Sequence, residues 1–96
     1  MNSHIIVDGK PLKLNRFVTE LNGNLLDAVA RSLKFTDGKQ IRFRLSQGEI
    51  AMHIDDKQVS LDLGHASQIV RDVLTGLLKN LYGAENATEV LFICER

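Results

Sequence analysis

The chain has 96 residues, twelve Lys/Arg against twelve Asp/Glu, and a hydrophobic fraction of 44%. That length suits one domain with one core, read here as residues 1–96, and the plentiful aliphatics at zero net charge exclude a disordered chain. The longest apolar run, residues 90–94 (VLFIC), is five residues against the roughly 20 a spanning helix needs, and a single cysteine excludes an internal disulfide.

The start of the chain lacks an apolar export signal. Together with the lone cysteine, this sets the expectation of a cytoplasmic protein. The balanced charge hides an asymmetry: residues 1–48 carry a net +4 and residues 49–96 a net −4. A basic half of this kind suits an acidic partner or the acidic half of a second copy.

In chain order, residues 3–7 (SHIIV) read as a strand, and Asp8 with Gly9 forms a strong turn dipeptide. Residues 11–14 are a short extended piece. Asn15 is placed to cap a helix, since its side chain can accept from orphan N–H groups of the next turn. Val18, Leu21, Leu25, Val29 and Leu33 recur at helical spacing. The sequence NGN at 22–24 predicts loose or kinked early turns, because a mid-helix glycine costs about 1 kcal/mol relative to alanine.

The stretch IRFRLSQGEIAMHIDD (41–56) alternates strictly, predicting strands at 40–46 and 49–55 joined by Ser46, Gln47 and Gly48. A second helix carries Ile69, Val70, Val73, Leu74, Leu77 and Leu81 on its apolar stripe. Gly83 is placed as the glycine that ends it, with Tyr82 at its end. Residues 89–95 form the last strand.

An internal echo accompanies this order. An offset of 47 lays IIVDGKPLKLN (5–15) on MHIDDKQVSLD (52–62). An offset of 48 matches Leu21, Leu25, Leu26, Val29 and Leu33 to Ile69, Val73, Leu74, Leu77 and Leu81. An offset of 49 matches Ile41 and Phe43 to Val90 and Phe92. The shared apolar phase predicts a pseudo-repeat of about 3–46 and 50–95.

Two similar halves in the order βαββαβ predict an α+β fold. The expected form is a ferredoxin-like plait, a four-stranded antiparallel sheet in order 4-1-3-2 backed by two helices. The alternative is a pair of duplicated ββαβ units. It is favoured by the two Asp-led turns, which would pair 3–7 with 11–14 and 50–54 with 58–61.

Alternation then assigns faces. Ile5, Val7, Ile41, Phe43, Leu45, Ile50, Met52, Ile54, Val90, Phe92 and Cys94 point to the helices. His4, Ile6, Arg42, Arg44, Ala51, His53, Leu91 and Ile93 point to the open side. Ile6, Leu91 and Ile93 make an apolar spot of the kind that marks an interface, most simply that of a two-fold homodimer.

Arg42 and Arg44, with Lys39 before them and His53 beside them, form a basic spot suited to phosphate or another anion. Nucleic-acid-binding plaits also present aromatic rings for bases to stack on, and this face has none. The plainer reading of the arginines is an edge strand kept from aggregating.

Catalytic motifs are missing: there is no Gly-x-Ser-x-Gly, no phosphate-binding glycine loop and no Cys-x-x-Cys. Cys94 reads as a small core hydrophobe. His4, His53 and His65 lack metal-ligand spacing, so neither an enzyme nor a cofactor is expected. The expectation is a small binding or assembly module, homodimeric through Ile6, Leu91 and Ile93. Residues 9–15 are the place where a plait would sense a small ligand. The alternative is a nucleic-acid binder contacting phosphate through Lys39, Arg42, Arg44 and His53.

Overall fold

Three two-residue turns organise the chain. Asp8 and Gly9 have φ of 48° and 82°, Gln47 and Gly48 of 52° and 77°, Asp55 and Asp56 of 49° and 68°. Positive φ at both central residues matches the right-handed twist of the flanking strands, so each turn closes a hairpin. The computed structural model describes residues 2–62, 64–81, 83–84 and 86–96.

Their order is β1 (Asn2–Val7), β2 (Lys10–Pro11), α1 (Arg16–Ser32), β3 (Gln40–Ser46), β4 (Glu49–Ile54), β5 (Lys57–Val59), α2 (Ala66–Leu78) and β6 (Glu89–Glu95). The class is α+β, with one antiparallel sheet of six strands in the order β2-β1-β6-β3-β4-β5.

This corrects the four-stranded plait. The turns at Asp8 and Asp55 draw residues 10–11 and 57–59 into the sheet as short outer strands, so β1 and β4 are not edges. The centre also differs. β3 and β6 lie side by side, with Phe43 opposite Phe92, whereas order 4-1-3-2 would separate them. The order ββαβ thus occurs twice along the chain, and each half's first strand pairs with the other half's last strand.

The inner face carries the core: Ile5, Ile41, Phe43, Met52, Phe92 and Cys94 are fully buried there, which agrees with the alternation of apolar residues. Burial pushes the Cys94 thiol pKa up.

Two identical clamps hold the halves together. The Asp55 carboxylate accepts from the backbone N–H of Gln40 (2.9 Å) and Lys39 (3.0 Å). The Asp8 carboxylate accepts from Glu89 (2.8 Å) and Thr88 (3.0 Å). Gly38, just before β3, has φ of 104°, and a Cβ there would lie 2.5 Å from Ile54 Cγ2. Only glycine fits that close approach.

Helix α1 is continuous through 22–24, against the expected kink. Asn22 is fully buried and its amide donates to the His4 carbonyl at 3.3 Å, so tertiary contact outweighs the propensity cost of Gly23. Asn15 caps the helix as expected, accepting from the Val18 N–H at 2.8 Å.

Helix α2 stops at Leu78 with Lys79 as its C-cap, so Gly83 (φ 90°) lies beyond the helix rather than ending it. Tyr82 lies outside the described residues. His65 occupies the N-cap of α2 without a side-chain hydrogen bond. The helix stripes are also narrower than expected: Leu21, Ile69 and Val73, assigned to the core by spacing, are exposed.

Candidate interaction surface

The sheet's open face is built from two cross-strand rows. One runs Pro11, Ile6, Leu91, Arg44, Ala51; the other runs His4, Ile93, Arg42, His53, Gln58. The side chains of each row stand on the same side of the pleat, so register alone brings Ile6, Leu91 and Ile93 together. All three are half-buried. Arg42 and Arg44 stand directly opposite Ile93 and Leu91, where long aliphatic stems can lie over apolar neighbours while their charged heads reach water.

This placement alters the expected basic spot. Arg42 and Arg44 are on a central strand, so protecting a sheet edge is not their role. Each also faces an acid: Arg44 Nη2 lies 2.7 Å from Glu89 and its Nε donates to the same carboxylate at 2.8 Å, while Arg42 Nη1 lies 3.7 Å from Asp56. Lys39 precedes β3 and is exposed, its backbone N–H given to Asp55. The N–H of Gln40 first, and that of Lys39 after it, hold the Asp55 carboxyl below the ordinary value of 3.8. His53 is half-buried between Arg42 and Gln58, and its Nδ1 is enclosed with no hydrogen-bond partner among the described residues.

No family model, curated protein or solved structure matches this chain.

Residues 9–15, the expected ligand-sensing loop, are occupied structurally. They supply β2, the half-buried Leu12 and Leu14 against the core, and the cap of α1. A cavity of about 300 Å³ borders them, closed on its other side by Asn80 and Leu81.

Spacing missed the apolar residues that face outward from the helices: Phe17 (71% exposed) and Leu21 on α1, Ile69 (60%) and Val73 on α2. A signal was available. At roughly 100° per residue, the α2 stripe from Ile69 to Leu77 covers about 140°, wider than one line of sheet contact. Val70 and Leu74 sit in its buried part, and Ile69 is at its outer margin.

Among the described residues, no group of three His, Cys, Asp or Glu is arranged to hold a metal ion, and no helix is long and apolar enough to cross a membrane.

Proposed function

We propose that the protein is a non-catalytic assembly module that pairs with a second copy through the open face of its sheet. The observation that carries this is the contiguous run Pro11, Ile6, Leu91 across three neighbouring strands, with Ile93 beside it and no helix on that side. The outward residues of the helices form one pair on α1 and one on α2; the sheet residues form a single cluster.

Two features favour a second copy as the occupant. At about 4.8 Å between strands and 3.4 Å per residue, the 31 strand residues offer a face of roughly 500 Å². Two copies together bury about 1,000 Å², the least that a specific interface needs. The face is also close to charge-neutral, because Arg44 and Arg42 have acids beside them. A surface that meets its own likeness across a two-fold must avoid a single sign of charge. The same pairing weighs against the phosphate-binding alternative, since Arg44 already has a carboxylate and no ring on this face stacks a base.

Light scattering tests the reading. Wild type should have twice the 10.7 kDa chain mass. Leu91→Asp and Ile6→Asp should be folded monomers by circular dichroism, and Phe17→Ser, on the helix side, should stay dimeric. A monomeric wild type overturns the proposal, as does a Leu91→Asp protein that remains a dimer.

A further inference from the structure

The two halves differ most at one pair of equivalent places. In the first half, the Arg96 side chain fills the space beside α1 and the segment leading to β3. Its Nε donates to Asp27 at 2.8 Å, its Nη2 to the Phe35 carbonyl at 2.9 Å and its Nη1 to the Asp37 carbonyl at 3.1 Å. The offsets that align the halves place Thr75 where Asp27 stands, Asn86 where Asp37 stands, and Gln47 where Arg96 stands.

These three residues line a cavity of about 510 Å³ beside α2 and the segment leading to β6. At these places the second half therefore carries neither the acid nor the guanidinium that close the first, and among the described residues the space stays open. The volume is that of a small-molecule site.

The rest of the wall indicates the ligand. Leu45, Leu78, Leu81 and Val90 give it an apolar side. The charged residues among its described lining are Arg71 and Lys79, both basic, with the Thr75 hydroxyl between them along α2 at i, i+4 and i+8. Arg71 is held at the cavity's edge by donating from Nη1 to the Gly48 carbonyl at 3.3 Å, with the exposed Asp72 3.7 Å from its Nε.

We infer that this cavity is a binding site for a small aliphatic carboxylate, its head group taken by Arg71, Thr75 and Lys79 and its chain laid against the leucines and Val90. Guanidinium and carboxylate match in charge and geometry, and the apolar wall discriminates against short polar anions. The site lies on the helix side of the sheet and does not depend on how the open face is used.

Octanoate is the probe, with octylamine and octanol as its matched cation and neutral analogue. Amide shift perturbations in the wild-type protein should saturate with a Kd below about 1 mM for octanoate, confined to α2, the β3–β4 turn, Ala84 and residues 86–88. Arg71→Gln and Lys79→Gln should each weaken binding about tenfold. Thr75→Asp, which restores the acid of the first half, should abolish it.

Adding Gln47→Arg to Thr75→Asp should refill the space and leave octanoate excluded, with the fold checked by the same spectra. Absence of saturable octanoate binding overturns the inference. So does binding of octylamine or octanol as tight as that of octanoate, or folded Arg71→Gln and Thr75→Asp proteins that bind like wild type.

Discussion

The helix of the first half is fastened at more places than the helix of the second, although both halves are built from the same elements. Helix α1 buries Asn22, Gly23, Leu26 and Ala30, whereas α2 buries Val70 and Leu74. Side chains fasten α1 along its whole length. Asn15 caps its start, the Ser3 hydroxyl donates to the Thr19 carbonyl at 2.5 Å, Asn22 reaches His4, and Asp27 holds Arg96 near its end. Among the described residues, helix α2 has one comparable tie, from Arg71 to Gly48 in the β3–β4 turn. Similar apolar phasing thus yields two helices of unequal attachment, because polar residues rather than leucines decide how firmly each is held.

The largest test of this difference is a matched pair. Leu26 and Leu74 are equivalent under the 48-residue offset, and both are fully buried. Leu26→Ala should cost about 3–5 kcal/mol, because the fastened helix cannot follow the cavity inward. Leu74→Ala should cost about 2–3 kcal/mol, because α2 has room to settle. Urea denaturation of both variants measures the gap, and equal losses would mean that the helices are equally anchored.

A smaller effect is expected at the arginines. Arg96 and Asp27 are 12% and 17% exposed, and Arg96 also satisfies backbone carbonyls. Arg96→Ala should therefore cost about 2–3 kcal/mol through the loss of partly buried charged hydrogen bonds. Arg71→Ala, at an exposed site with one long bond, should cost less than about 1 kcal/mol. If the two variants are equally stable, Arg96 is not what closes the first half.

Much of this architecture is legible in the chain, and the reason is local. The alternation at 41–56, the Asn15 cap and the phase of Ile5, Phe43 and Phe92 depend on neighbours within a few residues, where pleat and helix periods act directly. The same local chemistry carried the strongest hint against the plait, since Asp8 and Asp55 each begin a two-residue turn that adds an outer strand.

Strand order is a different matter. Whether β6 lies against β3 or is separated from it depends on packing between halves that no local period encodes. Ile6, Leu91 and Ile93 adjoin as expected because β1 and β6 are neighbours in both orders. The salt bridge from Arg44 to Glu89 was hidden, since it requires β3 and β6 to touch. The cavity by Arg71 was hidden for a related reason: it exists through what Thr75 and Gln47 fail to supply.

Acid should erase part of the difference between the halves. The Asp27 carboxyl is held below its ordinary 3.8, first by its hydrogen bond from Arg31 and then by Arg96, with burial opposing. Asp55 is held below 3.8 by the Gln40 and Lys39 N–H groups. Asp27 fastens α1 and has Thr75 at the matching place in the second half, whereas Asp55 clamps the start of β3 as Asp8 clamps the start of β6. Because their folded pKa values are depressed, the unfolded chain binds more protons in the interval just below 3.8. Stability is therefore full above that value and falls as pH drops through the folded pKa values. Backbone amides of α1 should exchange with solvent more slowly than those of α2 at pH 7, and the margin should narrow below 3.8 as the Asp27 carboxylate protonates. Asp55→Asn should lower the urea midpoint at neutral pH and make it less sensitive to acid than that of wild type. An α1 margin that persists unchanged through the acid range would show that apolar packing alone, and not the Asp27 carboxylate, separates the halves.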